Sequence, residues 1–365
     1  MGAPLLEIEN LRTYFYSPGK QAFVRAVDGV TLAIARGETL GVVGESGSGK
    51  SVTALSSMGL ISAGPGVISG TIAFRGDEGE RHLLQGLEDY VTLHERDGRI
   101  MEVSKDETGW QAHVERVMAP VRGKGIAMIF QNPRSALNPF VTVGHQITEA
   151  IRLHTPTKDP RDAKARALDW LERVKMDSPR LRFDNYPYGL SGGMCQRAMI
   201  AMALSSEPSL LIADEPTTGL DATIQSKIVG LLAELKSEYK IATMLISHDI
   251  RVISRLADNV AVMYGGTVVE YGPAPDVLAA RFTPKHPYTA ALLASIPSAQ
   301  NVGDHGDLSA VEGEVPDAID VPRGCRFYAR CNRVTDDIRN TCARQEPELR
   351  EVAPGHRVRC WLYGE

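Results

Sequence analysis

The stretch GESGSGKS at residues 44–51 constrains the fold most, because of the segments on either side of it. The apolar run TLGVV before it indicates a buried β-strand, and the residues from Lys50 to Leu60 favour a helix. A Gly-x-x-x-x-Gly-Lys-Ser pattern between a strand and a helix is typical of a phosphate-binding loop. A chance glycine-rich turn would not require both neighbours. The sequence therefore predicts an α/β protein that binds a nucleotide.

The residue types of this loop suit phosphate chemistry. Glycines let the backbone bend around phosphate oxygens without a Cβ in the way. The loop amides and the helix N-terminus then face the β-phosphate. We expect Lys50 to reach the β- and γ-phosphates and the Ser51 hydroxyl to bind Mg²⁺. The predicted nucleotide contacts of the loop are Gly44, Glu45, Ser46, Gly47, Ser48, Gly49, Lys50, Ser51 and Val52.

Polar residues follow three other apolar runs, each predicted to be a buried strand. LLIADEP ends in Asp214 and Glu215, IATMLIS is followed by His248, and GIAMIF is followed by Gln131. Ligands of open α/β sheets bind at the carboxyl ends of the strands. We therefore expect Asp214 and Gln131 at Mg²⁺, Glu215 as the base or orienting group for an attacking water, and His248 at the γ-phosphate. The alternatives are a solvated acidic strand end and a structural histidine.

Composition sets the class of protein. An apolar content of 43% and a charged content of 23% are those of a globular chain, and strands alternate with helices, which favours a mainly parallel sheet covered on both faces. The net charge of −5 gives no indication of a nucleic-acid-binding surface. We find no apolar run long enough to span a bilayer and no secretory signal, and so expect an intracellular chain.

These motifs together resemble the ATP-binding subunit of an ABC transporter. GESGSGKS resembles its Walker A motif, Gln131 its Q-loop, LSGGMCQR (190–197) its signature, LLIADEP its Walker B, GLD (219–221) with Asp221 its D-loop, and His248 its switch. The resemblance covers about residues 5–272, apart from a charged segment at 77–122. It implies an ATPase with a P-loop NTPase (RecA-like) core, an antiparallel β subdomain and a helical subdomain that carries the signature.

The resemblance also explains two glycines at a helix start. In the family, two subunits enclose ATP head to tail, and the signature of one covers the γ-phosphate of the ATP held by the other. It implies that Ser191, Gly192, Gly193 and Gln196 face the partner's nucleotide; an ordinary helix N-cap is the alternative. Cys195 departs from the commoner arginine. An aromatic in TYFYS, Phe15 or Tyr16, should stack on adenine, and strand packing is the alternative for each.

Three further segments resemble the branch of dipeptide and oligopeptide importers, which also includes nickel and some sugar systems. They are NPRSALNPFVTVGHQI after Gln131, PKHPYTAALLASIP (284–297) and GCRFYARC followed by two later cysteines. The resemblance implies two transmembrane permease subunits, a second ATP-binding subunit, an indirect partnership with an extracytoplasmic solute-binding protein, and no nucleic acid. It places the chain peripherally on the cytoplasmic face of the inner membrane.

Four of the five cysteines lie close together in the chain: Cys325, Cys331, Cys342 and Cys360. A local cysteine cluster in an intracellular chain indicates a metal site more than disulfides. Structural zinc usually prefers Cys-x2-Cys pairs, which are missing, and spacing alone leaves the group open. Some members of the resembling branch carry a [4Fe–4S] cluster here, which the resemblance therefore implies. Zn²⁺ and plain reduced cysteines remain as alternatives.

The predicted organisation divides the chain at changes of pattern. Residues 1–76 form the first part of the nucleotide-binding core, 77–122 a surface insertion with a hairpin around Asp97-Gly98, and 123–142 the core segment with the Q-loop. Residues 143–204 form the helical subdomain, 205–272 the rest of the core, and 273–365 a small cysteine-containing C-terminal extension. Two other functions compete: an ABC ATPase acting on DNA or ribosomes, and a regulatory module that binds ATP without hydrolysing it.

Overall fold

The computed structural model describes residues 2–96, 99–279, 285–295, 313 and 316–363. Its strands alternate with helices along much of the chain. The strands are β1 Leu6–Ser17, β2 Ala22–Ile34, β3 Thr39–Val43, β4 Pro65–Gly76, β5 Gly79–His82, β6 Val91–Arg96, β7 Arg99–Lys105, β8 Ile126–Ile129, β9 Leu210–Asp214, β10 Ala242–Ile246, β11 Asn259–Tyr264, β12 Thr267–Pro273, β13 Arg350–Ala353 and β14 His356–Val358.

The α-helices begin with the one that follows the glycine-rich loop. They are α1 Lys50–Ser57, α2 Glu107–Met118, α3 Pro133–Ala136, α4 Val143–His154, α5 Pro160–Arg173, α6 Pro179–Phe183, α7 Gly192–Leu204, α8 Ala222–Tyr239, α9 Ile250–Leu256, α10 Ala274–Leu278, α11 Pro287–Ala294 and α12 Arg339–Arg344. No helix in this described part of the chain is both long and apolar enough to cross a membrane.

The main sheet positions the site. Within the described residues its strand order is β13-β14-β12-β11-β3-β10-β9-β8, and the run from β11 to β8 is parallel. Strands β3, β8, β9 and β10 are buried along their whole length, as their continuous apolar sequences predict. Their carboxyl ends therefore meet at one edge, where the loop after β3 and the polar residues after β8, β9 and β10 lie together.

A second sheet, β2-β1-β4-β5, is antiparallel and joins the main sheet through a shared core. The helices α4 to α7 pack on each other and form the helical subdomain, centred on buried residues such as Ile147, Trp170 and Met199. The mainly parallel sheet, the antiparallel subdomain and the helical subdomain are all present, so the predicted fold class is confirmed.

Residues 77–122 differ from the predicted surface insertion. The hairpin β6-β7 is present, although its turn at Asp97-Gly98 lies outside the described residues. Helix α2, by contrast, buries Trp110, Val114 and Met118 in the core shared with β1 and β4. The surface prediction is wrong for this half of the segment. The three side chains recur every four residues, the apolar stripe of an amphipathic helix.

The C-terminal extension is also more integrated than predicted. Strand β14 pairs with β12 through Glu270 with Val358 and Tyr271 with Arg357, so the tail extends the main sheet by two strands. The carboxylate of Glu270 is fully buried; it receives a hydrogen bond from the His286 amide at 2.8 Å and lies 2.9 Å from Nε2 of His356. A buried carboxylate needs such partners, and they fix the tail to the core.

Candidate functional site

The glycine-rich loop after β3 is confined by its surroundings at two glycines. A Cβ on Gly44 would lie 2.2 Å from the Met263 carbonyl oxygen, and one on Gly49 would lie 2.3 Å from the Ala26 carbonyl oxygen. Both residues also have positive φ angles, 155° and 99°, which L side chains rarely adopt. The loop backbone therefore packs directly on β11 and β2, and α1 begins at Lys50 immediately after it.

The Lys50 side chain hydrogen-bonds to the backbone of its own loop. Its Nζ donates to the carbonyl oxygens of Gly44 at 2.8 Å and Glu45 at 2.9 Å, and the side chain is 5% exposed. Burial lowers the pKa of Lys50, while the carboxylates of Glu215, Asp214 and Glu45 oppose that shift. The lysine thus occupies the centre of the loop, where incoming phosphate oxygens would replace the two carbonyls as its partners.

Asp214 and Ser51 form the oxygen pair predicted to hold Mg²⁺. The Ser51 hydroxyl donates to Oδ1 of Asp214 at 2.9 Å, and burial raises the pKa of this carboxyl. The hydroxyl and the carboxylate are the oxygen donors that Mg²⁺ takes in nucleotide sites. These residues therefore fit the metal that the sequence implies.

Glu215 is the centre of a hydrogen-bonded network at the same edge. Its Oε2 accepts from Nε2 of Gln131 at 2.9 Å and from the Thr218 hydroxyl at 2.8 Å, and its Oε1 lies 3.2 Å from Nδ1 of His248. Burial alone would raise the pKa of Glu215. The hydrogen bonds from Thr218 and His248, with the charges of His248 and Lys50, outweigh burial and lower it. The structure therefore brings Gln131, Glu215 and His248 together as a set around an ionised carboxylate.

One predicted loop contact, Glu45, differs from expectation. Its backbone amide donates to the hydroxyl of Tyr288 at 2.8 Å, and its carboxylate faces Arg330 at 2.8 and 3.2 Å. The Glu45 amide is therefore already engaged and is not among the amides left for phosphate. Sequence reasoning did not single out Tyr288 or Arg330, and no local signal could have done so, since Arg330 is 285 positions from Glu45.

The signature LSGGMCQR starts helix α7. Ser191 is its N-cap, with its hydroxyl accepting from the Met194 amide at 3.3 Å. A Cβ on Gly192 would meet nothing closer than 3.5 Å, but one on Gly193 would lie 2.8 Å from Cγ2 of Ile224. Gly193 therefore has an internal packing reason as well as the predicted one. Ser191 is therefore an N-cap, as the alternative interpretation predicts, and the space beside Gly192 is open as well.

The structure contradicts one predicted signature contact, that of Gln196 with the partner's nucleotide. The Gln196 side chain is 2% exposed, and its Nε2 has no hydrogen-bond partner among the described residues. A buried amide at the fifth position of α7 does not face a nucleotide held by another subunit. Cys195, beside it, is also buried and contacts the Pro187 carbonyl oxygen at 3.4 Å.

Asp221, the predicted D-loop residue, is the N-cap of α8. Its Oδ1 accepts from the Ile224 amide at 2.9 Å. One turn later, Nε2 of Gln225 donates to Asp249, the residue after His248, at 3.2 Å. The start of α8 is therefore linked to the segment that carries the switch histidine.

The two candidate aromatics of β1 lie on opposite faces of the strand. Thr13 faces α1, because its hydroxyl lies 2.8 Å from the Ser56 hydroxyl. Tyr14 and Tyr16 both contact Phe23 and so share the other face, which leaves Phe15 on the face of Thr13. Tyr16 lies on the other face, half-exposed and edge-on to Phe23. Only Phe15 is thus on the side of the helix that follows the loop.

The four tail cysteines are free thiols, and the other three all raise the pKa of Cys325. Burial raises the pKa of Cys325 to about 12 and that of Cys360 to about 11, and the neighbouring thiols add to both shifts. Among the described residues, however, no three His, Cys, Asp or Glu side chains are arranged to hold a metal ion. The geometry therefore supports neither the predicted [4Fe–4S] cluster nor the zinc alternative.

Comparison with known proteins decides the family. A sequence profile of the ABC transporter family matches residues 27–218, more than half of the chain. The chain belongs to this family. It is an ABC ATPase with a further match, at residues 269–337, to the C-terminal region of oligopeptide/dipeptide transporters. The family resemblance on which the sequence interpretation rests is confirmed.

Curated relatives cover the whole ABC ATPase chain. The oligopeptide transport ATP-binding protein AppD of Bacillus subtilis (strain 168) is 41% identical over 99% of this chain and 97% of its own. A probable peptide ABC transporter ATP-binding protein, y4tR, of Sinorhizobium fredii is 40% identical over 99% of this chain and 96% of its own. Both include the cysteine tail in the aligned length.

Solved structures share the fold of the cassette. A dimeric form of the bacterial ABC transporter cassette MJ0796 has a TM-score of 0.56 at 23% identity, covering 74% of this chain and 98% of that one. The cbiO1 protein of Clostridium perfringens, part of the cbiONQ transporter complex, has a TM-score of 0.52 at 25% identity, covering 76% of this chain and 91% of that one. These similarities confirm the ABC ATPase fold.

Proposed function

We propose that this ABC ATPase powers a binding-protein-dependent importer of peptides or a related small solute. The observation that carries the proposal is the Gln131–Glu215–His248 set beside the phosphate loop, with Glu215 held as a carboxylate. A module that only binds ATP would not need an oriented base at this position. The peptide assignment is supported by the tail match and by the names of the 40% identical relatives.

In the proposed mechanism Lys50 leaves the carbonyls of Gly44 and Glu45 for the β- and γ-phosphates. Ser51 and Asp214, with Gln131, would hold Mg²⁺, which supplies charge neutralisation on the phosphates when bound. Glu215 orients a water toward the γ-phosphorus and accepts its proton as the bond to the leaving oxygen breaks. His248 holds Glu215 from one side and stabilises charge at the γ-phosphate from the other.

We further propose an ATP sandwich with a second, related or identical subunit. Ser191, Gly192 and Gly193 at the start of α7 would face the partner's γ-phosphate, since the hydroxyl and the helix N-terminus suit an anion. Asp221 would meet the same interface. The assembly would sit on two permease subunits at the cytoplasmic face of the inner membrane, with an extracytoplasmic solute-binding protein as an indirect partner and without nucleic acid.

For the tail we propose a [4Fe–4S] cluster on Cys325, Cys331, Cys342 and Cys360. The proposal rests on the donor set: four free thiols lie within one short segment, and Cys325 interacts electrostatically with the other three. The cluster would stabilise the fold of a tail that has little hydrophobic core of its own. Ligation requires the thiols to lose the protons that their raised pKa values favour.

The activity test is the change Glu215→Gln, which keeps size and hydrogen bonding but removes the base. We expect ATP binding to persist and steady-state hydrolysis to fall by more than about a hundredfold. ATP affinity and phosphate release, measured on the full chain reconstituted with its permease subunits, give both quantities. Hydrolysis like that of the wild type would remove Glu215 from its role.

The cofactor test is iron, sulfide and zinc analysis with visible absorption on anaerobically purified protein. About four irons and four sulfides per chain would establish the cluster. One zinc without iron, or no metal, would refute it and leave the ATPase proposal untouched. Hydrolysis without coupling to any solute in the reconstituted assembly would refute the importer proposal instead.

A further inference from the structure

The Walker A loop contains a carboxylate close to where nucleotide phosphates would bind. Glu45 directly follows Gly44, and its carbonyl oxygen is one of the two that hold Nζ of Lys50. A negative charge at this position would repel a nucleotide that carries several negative charges. Within the loop sequence GESGSGKS, Lys50 is the one cationic residue, and that cation is needed for the phosphates. A second cation is required if Glu45 is not to weaken binding.

Arg330 supplies that cation from the far end of the chain. Its Nη1 donates to Oε2 of Glu45 at 2.8 Å and its Nη2 to Oε1 at 3.2 Å, a two-pronged pair. The Arg330 side chain is 5% exposed and that of Glu45 is 25% exposed, so solvent screens the pair little. Such charge-assisted, two-pronged pairs are strong and fix geometry as well as charge.

The surroundings hold Arg330 in place independently of Glu45. Its guanidinium also donates to the Tyr264 hydroxyl at 3.3 Å and lies 5.7 Å from the centre of that ring. Tyr264, Tyr288 and Phe327 form one aromatic group, with ring centres 4.7 to 5.5 Å apart. Arg326, four residues earlier in the chain, donates to the Asp28 carboxylate at 2.9 Å and to the Gly265 carbonyl at 2.6 Å. The tail therefore presents a rigid guanidinium to the loop.

We propose that Arg330 is a positioning residue for ATP binding: it neutralises Glu45 and fixes the backbone of the Walker A loop from the C-terminal tail. The Tyr288 hydroxyl accepts a hydrogen bond from the Glu45 amide and is a second contact between the C-terminal tail and the loop. The inference rests on the proposed ATPase function and adds to it a reason why the tail and the cassette occur in one chain. It assigns no contact between Arg330 and the nucleotide.

The test is a double-mutant cycle on the full chain, read out as the dissociation constant and KM for ATP. Arg330→Gln leaves the Glu45 charge uncompensated, and we expect on the order of a tenfold rise in both constants, with kcat nearly unchanged. Glu45→Gln alone is measured as the fourth corner of the cycle, so that its own effect on both constants is subtracted from that of the double variant. The double variant should recover most of the loss, because no charge remains to repel the phosphates. Arg330→Lys should recover part of it.

A role in folding alone would give another pattern. The loss in Arg330→Gln would then persist when Glu45→Gln is added, and this outcome would overturn the proposal, as would unchanged affinity in Arg330→Gln. Arg339→Gln is the matched control, since Arg339 is an exposed tail arginine paired with Asp336 at 3.0 Å. Thermal unfolding of each variant identifies any that is misfolded. If Arg330→Gln is misfolded, Arg330→Lys is measured with and without Glu45→Gln, and recovery of ATP affinity on adding Glu45→Gln again supports the proposal, while its absence overturns it. A wild-type chain that binds no ATP would refute the proposed function rather than this inference.

Discussion

The nucleotide site and the cysteine tail contrast in how their residues come together. At the nucleotide site every key side chain follows a buried parallel strand, so the sheet itself delivers Lys50, Gln131, Asp214, Glu215 and His248 to one edge. The tail thiols depend instead on short irregular segments, the helix α12 and the end of β14. Parallel strands place the residues that follow them at defined positions, so a motif there predicts a geometry. The spacing of cysteines along irregular segments does not predict how their side chains are arranged.

The largest expected effect concerns the first region. Lys50→Ala removes the cation at the centre of the loop and leaves the Gly44 and Glu45 carbonyls without it. We expect ATP affinity to fall by about a hundredfold, the value of a buried charge-assisted contact to phosphate. Calorimetric titration with Mg-ATP measures this loss, and unchanged affinity would contradict the assignment of the phosphate loop.

A smaller effect separates two neighbours in β1. Phe15→Ala should weaken ATP binding by about tenfold, since stacking of a base on an aromatic ring contributes about 1–3 kcal/mol. Tyr16→Ala, on the opposite face, should change it less than about twofold by the same reasoning. Paired titrations of the two variants decide the matter, and a larger loss in the tyrosine variant would reverse the assignment.

For the second region, single cysteine changes sharpen the contrast. If the cluster is present, Cys325→Ser should lose more than about half of the bound iron, because each thiolate is a ligand. Cys195→Ser is the matched control, being a buried cysteine in α7 rather than in the tail. Equal iron content in both variants would show that the tail thiols are not the ligands.

The smallest effect is a dependence of stability on pH. Burial, aided by the charge of Arg359, lowers the pKa of His286 to about 3. The unfolded chain binds a proton here near pH 6.5 and the folded chain does not, so stability present above pH 6.5 should be lost as the pH falls toward 3. The slope should be about 1.4 kcal/mol per pH unit at most. His286→Asn keeps a helix-capping acceptor and should flatten this slope in urea titrations, unlike the exposed control His94→Asn.

Sequence reasoning located the loop, the strand ends and the signature, because each is a short motif beside a strongly apolar strand or a helix start. It missed α2, although Trp110, Val114 and Met118 have helical spacing, because the charged residues around them resemble a surface segment. It could not find the Arg330–Glu45 pair or the burial of Gln196. Both depend on tertiary packing, which local pattern does not encode.

Strand β14 has a consequence for how the chain is made. Residues 356–358 pair with the edge of β12, and they are synthesised well after β12 itself, which ends at Pro273. During synthesis an otherwise complete cassette therefore exposes the unpaired backbone of β12, a template for edge-to-edge association. Nascent chains, or chains cut short before residue 350, would share this open edge, so aggregation rather than loss of chemistry is the hazard that β14 prevents.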